Sequence, residues 1–229
     1  MYTPSRRVQK DYATVSAYSA QNETILMKPK PSSIMEADVL VIGQSGPYLH
    51  GFFHFHTKFP EDYPFNPPIY KYLTTGGGSI RMNPNLYADG KVCLSVINTW
   101  GSEFNWAPTM TQLSVLLSIQ SMILNDNPLY NEPGWQSRST SESQEYNEML
   151  LHHTLRVAVC GMVEHGPPCF LDHIRSYFVK HFDYYVDICE KHRALDGQPM
   201  RDPYGSSGSS RFNFSQILSE LNRVRRLCE

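Results

Sequence analysis

The sequence predicts an α+β fold, in which one N-terminal helix precedes an antiparallel sheet and further helices follow it. Three observations carry this. Apolar and polar positions alternate over residues 35–42, 52–59 and 69–73, each segment bounded by Gly, Pro, Asn or Asp. A strongly apolar helical run occupies 109–124. Helical patterns then continue over 144–164 and 168–193.

Taken in order, the first element is a helix over about residues 5–20, where Val8, Tyr12 and Val15 recur at helical spacing with basic residues between them. Pro29 and Pro31 bracket a break. In the first alternating segment Met35, Ala37, Val39 and Val41 share a face. In the second, Phe53, Phe55 and Phe59 share one face and His54, His56 and Lys58 the other. Short connections make this a meander with one wet face. Residues 60–68 hold four prolines and cannot form a central strand. The stretch from Gly76 to Pro108 shows little periodicity, and a stretch of that length inside a compact domain is usually functional.

Thr109-Met110-Thr111-Gln112 reads as a capping box opening the 109–124 helix. That helix is apolar nearly all round and is expected to be central and buried. Gly166-Pro167-Pro168 separates the two later helices, and residues 197–210 form a Gly-, Ser- and Pro-rich linker expected to be flexible. A last amphipathic helix carries Phe214, Ile217, Leu221, Val224 and Cys228, and is expected to pack on the domain or to dimerise.

The 229 residues suit one ordinary domain plus an extension. A net charge of -2 gives no electrostatic reason to expect nucleic acid or an anionic membrane as partner. Arg6, Arg7 and Lys10 are not followed by the apolar stretch of a signal peptide, and no run approaches the ~18 apolar residues of a membrane span. The five cysteines, at 93, 160, 169, 189 and 228, are odd in number and lack zinc-ligand spacing. Reduced thiols in the cytoplasm or nucleus are the expectation. No metal or cofactor is expected. His54-x-His56 lacks a third ligand, and Gly76-Gly77-Gly78 lacks the Lys-Ser/Thr of a phosphate loop.

The chemically informative block is Met82-Asn83-Pro84-Asn85-Leu86-Tyr87-Ala88-Asp89-Gly90-Lys91-Val92-Cys93-Leu94. Asn-Pro and Asp-Gly form turns, so this loop can present Cys93 to a substrate as a nucleophile. Cysteine is also among the most often buried residues, so the residues alone favour a core thiol over a nucleophile. Cys160, Cys169 and Cys189 lie in apolar helical settings and read as structural.

Several motifs in register decide between these readings. Phe59-Pro60-Glu61-Asp62-Tyr63-Pro64-Phe65-Asn66-Pro67-Pro68, Asn83-Pro84-Asn85, Gly90-Lys91-Val92-Cys93-Leu94 and Trp106-Ala107-Pro108 resemble, in order and spacing, the signatures of the ubiquitin-conjugating (E2) enzyme family. The resemblance runs from about residue 5 to 164. It is nearest to the large hybrid E2/E3 enzymes, including the giant one with BIR repeats, through Asn98-Thr99-Trp100-Gly101 and Tyr130-Asn131-Glu132-Pro133-Gly134. It implies the UBC fold: a four-stranded meander, an N-terminal helix, a central helix and C-terminal helices. The conjugating domain would be residues 1–164, with 165–229 a helical extension.

The resemblance also implies an activity. Ubiquitin or a ubiquitin-like modifier would pass from an E1 activating enzyme, charged at the expense of ATP, to Cys93 as a thioester, and then to a substrate lysine or a ligase. Asn85 would donate to the oxyanion, or would only brace the loop. Asp126 and Asn127 match the gate that orients the lysine, or form a solvated helix end. Phe65 with Ala107 and Pro108 would meet E1 and RING-type E3 ligases, and Arg6, Arg7 and Lys10 the E1. Asn83, Pro84 and Trp106 would shape the site. Asn83 stands where most members carry His, Ser95 where many carry Asp, and an inserted segment, 99–105, precedes Trp106. The rival reading is a non-catalytic E2-variant scaffold that binds ubiquitin or a ligase; such variants usually lack the cysteine.

Overall fold

The computed structural model describes residues 4–101, 105–205 and 210–229. The chain separates into two compact units. The first holds the chain up to Gly43 together with Phe53–Leu124, and the second holds Gln44–Phe52 with Asn125–Glu229.

The first unit opens with helix α1 (Pro4–Asn22), which buries Val8, Asp11 and Val15 along one stripe. Four strands follow: β1 (Ile25–Lys30), β2 (Ser33–Ile42), β3 (Phe52–Lys58) and β4 (Ile69–Tyr72), hydrogen-bonded in the order β1-β2-β3-β4. The alternation places β2, β3 and β4 where it predicts them. It does not predict β1, which begins in a stretch without a pattern and runs into the break read at Pro29. Pro29 sits inside this strand opposite Ala37, with a register shift at Lys30. Because β1 is an edge strand, the missing Pro29 N–H removes no ladder bond that the sheet needs.

The wet face predicted for β3 is present. His54 Nε2 lies 3.1 Å from Asp38, which also takes Lys30 at 2.5 Å; His56 and Lys58 approach Glu36 at 3.3 and 3.5 Å. Burial outweighs the pull of Asp38 and keeps the His54 imidazole below its ordinary pKa, so a neutral ring meets a carboxylate there. Both histidines are thus spoken for, and no group of three metal-binding side chains occurs among the described residues.

Helix α2 (Gln112–Ser118) starts later than its apolar pattern indicates. Its cap is Thr111, whose hydroxyl accepts from Ser114 N (3.2 Å) while Ser114 Oγ accepts from Thr111 N (3.0 Å). The box is therefore 111–114, not 109–112. The preceding residues are turned aside because Arg7 of α1 takes the carbonyls of Pro108 (2.8 Å) and Met110. A π-helical turn over Ile119–Ile123 continues α2. The helix is one-sided: Val115, Leu116, Ile119 and Ile123 are buried, while Met122 and Ser121 face solvent.

Behind these contacts lies a buried polar cluster. Asp11, 1% exposed, accepts from Arg7 Nε (3.0 Å), Tyr63 Oη (2.6 Å) and Gln112 N (3.2 Å). Gln112 Oε1 in turn accepts from Tyr70 Oη at 2.5 Å. Burial, followed by the hydrogen bond to Asp11, pushes the Tyr63 phenol far above its ordinary pKa.

In the second unit, helix α3 (Thr140–His153) is capped by a Ser139–Glu142 box and runs through a π-helical stretch, Thr154–Gly161, into α4 (Met162–His165). The 168–193 pattern forms two helices, α5 (Leu171–Lys180) and α6 (Phe182–His192), broken at His181, whose ring stacks on His50 at 4.0 Å. Helix α7 (Phe214–Arg225) buries Phe214, Ile217, Leu221 and Val224 against this bundle. Its start is capped twice: Asn213 Oδ1 accepts from Gln216 N (3.0 Å), and Asp196 accepts from Phe214 N (2.5 Å) and Ser215 N (3.1 Å). The Gly-, Ser- and Pro-rich stretch is pinned over its described residues. Gly197 N donates to Phe212 O, Met200 N to Ser210 O, and the Tyr204 ring stacks on Trp135 at 5.1 Å. Residues 206–209 of the expected linker lie outside the described residues. No helix among the described residues is long and apolar enough to cross a membrane.

Two predictions follow from these cores. Asp11→Ala strands a guanidinium, a phenol and a backbone N–H, and should lower the unfolding free energy by about 3 kcal/mol; Tyr63→Phe should cost only about 1 kcal/mol, both read by urea titration. Burial drives His152 down to about 3 and His153 down to about 4. The native state keeps these rings neutral while the unfolded chain protonates them below about 6.5. Stability should be complete above about pH 6.5 and fall towards pH 4 by roughly 1 kcal/mol per pH unit per histidine. In His153→Met the loss in urea midpoint between pH 7 and pH 5 should shrink.

Candidate active site

The site is built from the aperiodic stretch between β4 and α2. Residues 86–92 close a small hairpin: Leu86 bridges Val92, and Tyr87 N donates to Lys91 O at 3.0 Å. Gly90 turns its tip with φ +94°, where a Cβ would stand 2.7 Å from the Tyr72 carbonyl, so no larger residue fits. Tyr72 N donates to Gly90 O (2.8 Å), which staples the hairpin to the edge of β4. Cys93 follows directly.

Asn85 and Cys93 hold each other. The Cys93 N–H donates to the Asn85 carbonyl (2.9 Å), and Asn85 Nδ2 donates to the Cys93 carbonyl (2.8 Å). Asn83 fixes this pair from behind: its Oδ1 accepts from Asn85 N (2.9 Å) and its Nδ2 donates to Ile123 O (2.7 Å), at the end of the π-helical turn. Asn83, Pro84 and Asn85 are buried, with Asn85 8% exposed. Asn83 carries one acceptor and one donor at opposite ends of its amide, and the site uses both.

On the far side of Cys93, Thr99 Oγ1 accepts from Leu94 N (2.9 Å) and lies 3.2 Å from Leu94 O. Asn98 adopts a left-handed conformation (φ +59°), and its Oδ1 accepts from Trp106 N (2.8 Å). That contact closes the neck of the inserted segment 99–105, of which 102–104 lie outside the described residues. Against the expectation of an accessible thiol, Cys93 is 1% exposed. Burial of a loop side chain leaves no periodic trace in a sequence, so the motif spacing could not reveal it.

Among the other cysteines, burial pushes the Cys160 and Cys189 thiols up, Cys189 to about 12. Both are core thiols, as their apolar helical settings predict; Cys169, read the same way, instead lies half-buried in the turn before α5. No cysteine is in a disulfide.

Trp106 Nε1 donates to the Pro64 carbonyl at 2.7 Å, and its ring lies 5.9 Å from Tyr63. This joins the loop carrying Phe65, 69% exposed, to the turn carrying the half-buried Ala107 and the exposed Pro108. Arg6 and Lys10 project to solvent from α1. Arg7 does not: it is committed to Asp11 and the 108–110 turn, so it is a tether and not a free basic contact. Asp126 and Asn127 are exposed and belong to the second unit, where Asp126 O accepts from Asn147 Nδ2 (2.8 Å) and Asn127 N donates to Asn125 Oδ1 (2.9 Å).

Pattern in the sequence does not single out Arg81 or the Asp11 cluster, and it marks Asn98 and Thr99 only as part of the Asn98-Thr99-Trp100-Gly101 motif and not for the bonds they make. Arg81 had a signal. It is the only charged residue between Lys71 and Asp89, two places before the Asn83-Pro84-Asn85 tripeptide.

With this geometry in hand, comparison with known proteins is direct. The family model described as ubiquitin-conjugating enzyme matches residues 7–153. Ubiquitin-conjugating enzyme E2 Z of Danio rerio is 37% identical over 225 residues, covering 96% of this chain and 67% of that protein. The Homo sapiens E2 Z is 37% identical over 224 residues, covering 96% of this chain and 62% of its own length. The Homo sapiens dual E2 ubiquitin-conjugating enzyme/E3 ubiquitin-protein ligase BIRC6 is 38% identical over 185 residues, covering 76% of this chain and 4% of that protein. A solved Toxoplasma gondii ubiquitin conjugating enzyme E2 domain superposes with a TM-score of 0.51 at 23% identity, covering 67% of this chain and 97% of that one; it speaks for the fold alone. The cysteine frame, the four-stranded sheet and the extent of these matches lead to one conclusion: the chain belongs to the ubiquitin-conjugating enzyme family.

Proposed function

We propose that Cys93 accepts ubiquitin from an E1 as a thioester and passes it to an amine. The Cys93 thiolate attacks the carbonyl of the E1–ubiquitin thioester. A new C–S bond forms, the old one breaks, and the E1 thiol leaves with a proton. In the second half a lysine nitrogen attacks the Cys93 thioester, the C–N bond forms, the amine gives up a proton and the Cys93 thiol is restored. The first half is thiol exchange and needs little beyond an accessible thiolate. The second passes through an oxyanion, which a placed amide donor stabilises.

The observation that carries this reading is the reciprocal bonding of Asn85 and Cys93. It puts one amide N–H on the Cys93 carbonyl and leaves a second N–H on the same nitrogen for the oxyanion. Loop bracing and oxyanion donation are therefore compatible in one side chain.

The exposed Phe65, the Ala107-Pro108 turn and the solvent-facing Arg6 and Lys10 support E1 and RING-type E3 ligases as partners. Phe65, 69% exposed, is the apolar side chain on this surface that such a partner would cover. Asp126 and Asn127 are assigned to orienting the incoming lysine. Residues 1–164 are assigned to conjugation and 165–229 to an appended helical module. Because the chain spans 62–70% of the length of the vertebrate E2 Z relatives it matches, their full activities are not carried over.

One observation favours the scaffold reading, in which the chain binds ubiquitin or a ligase without chemistry: the near-complete burial of Cys93. Alkylation separates the two. On the conjugating reading, iodoacetamide modifies Cys93 of the native protein within about tenfold of the rate for an unfolded cysteine; protection far beyond that supports the scaffold. With E1, ATP and ubiquitin, the chain should form an adduct that thiol reductant releases, and Cys93→Ser should abolish it or convert it to a reductant-resistant ester. Asn85→Ala should still charge, and should lose about 10²- to 10³-fold in discharge to free lysine. A wild-type chain that forms no reductant-sensitive adduct sinks the proposal.

A further inference from the structure

The geometry points to Arg81 as a positioning residue that holds the Asn85 amide in register with Cys93 for transfer to the amine. This rests on the reading of Cys93 as the thioester carrier and deepens it. Arg81 Nη2 donates to the Pro84 carbonyl (2.6 Å) and Nε lies 3.3 Å from the Asn83 carbonyl. Its guanidinium carbon sits 3.9 Å from the centre of the Tyr87 ring, and Lys91 Nζ lies 5.3 Å from the same centre. One side chain therefore grips the chain on both sides of Asn85: two carbonyls before it and an aromatic ring after it. A planar guanidinium can donate in two directions while stacking through its face, and an ammonium cannot.

The grip matters at a particular step. At rest the Asn85 amide is itself part of the scaffold, because it donates to Cys93 O. When the oxyanion forms, the second N–H of the same amide must meet that charge while the first stays on Cys93 O, so the amide nitrogen tolerates little displacement. The backbone of 83–87 keeps its place through bonds that do not involve the amide. The Asn83 turn is one, the Cys93–Asn85 backbone bond another, and Arg81 contributes contacts at three residues. Loss of Arg81 should leave acceptance of ubiquitin nearly intact and impair its delivery. A displacement of the donor by a fraction of an ångström is enough to slow an oriented reaction severely.

The test uses the full chain in two single-turnover stages: charging by E1, ATP and ubiquitin, then discharge to free lysine after E1 is inactivated. Arg81→Lys and Arg81→Gln should charge within about twofold of wild type, melt close to it, and discharge about 10- to 100-fold more slowly. Arg81→Lys keeps the charge, so its failure to rescue separates geometry from electrostatics. Tyr87→Phe should behave as wild type and Tyr87→Leu should discharge slowly. In an Asn85→Ala background, Arg81→Lys should have no further effect on discharge, since the amide it positions is gone. The proposal is overturned if Arg81→Lys discharges at the wild-type rate, if charging falls in step with discharge, or if the two substitutions act additively. A wild-type chain that does not charge overturns the thioester reading itself, and is distinguished by failing before any Arg81 variant is compared.

Discussion

A single buried carboxylate organises the first unit. Asp11 sits 1% exposed on α1, and its oxygens receive a guanidinium, a phenol and the first backbone N–H of α2. A buried carboxylate is tolerable only when its oxygens are satisfied, and here two of the three donors, Tyr63 and Gln112, come from segments far from α1 in sequence. Satisfying Asp11 therefore places the Tyr63 loop and the start of α2 against α1. Because Tyr63 immediately precedes Pro64, and Pro64 O receives Trp106 Nε1, the same constraint reaches the loop that carries Phe65 and the turn that carries Ala107 and Pro108. The exposed elements thus rest on buried polar chemistry as well as on apolar packing.

The cysteine loop is arranged on the same principle, with backbone groups in place of a carboxylate. An aperiodic stretch has no ladder to satisfy its N–H and C=O groups, so side chains do it. Asn83 serves Asn85 N and Ile123 O, Asn85 serves Cys93 O, Thr99 serves Leu94 N, and Asn98 serves Trp106 N. The loop is well determined although it contains neither helix nor strand over most of its length. A fixed loop suits a nucleophile whose partner donor must be placed before the reaction begins.

Much of the scaffold could be read from pattern. Alternation marks β3 and β4, whose buried and more exposed positions alternate, and the 214–225 helix shows its buried stripe directly; β2 lies where its pattern predicts but is buried on both faces from Ala37 to Ile42. β1 escaped because edge strands alternate weakly and tolerate a proline. The start of α2 was misplaced because tertiary bonds from Arg7 and Asp11 override the local capping signal. In the site, spacing to Asn85 and Trp106 singled out Cys93, which composition alone could not separate from Cys160 or Cys189. The burial of Cys93 and the inward commitment of Arg7 were not legible. Both depend on which loops meet in space, and a basic residue on a helix looks the same whether it faces water or a carbonyl.

The inward turn of Arg7 changes how surface mapping of α1 should be read. Arg6, Arg7 and Lys10 form one basic cluster in sequence but belong to different classes of residue in space. Substituting Arg6 or Lys10 alters charge presented to solvent; substituting Arg7 alters the mounting of the 108–110 turn. A weakened interaction on losing Arg7 would therefore be transmitted through the scaffold, and an opposite charge engineered on a partner would not restore it. In a double-mutant cycle Arg7 should couple with residues of its own chain such as Asp11, and should be independent of any residue across an interface.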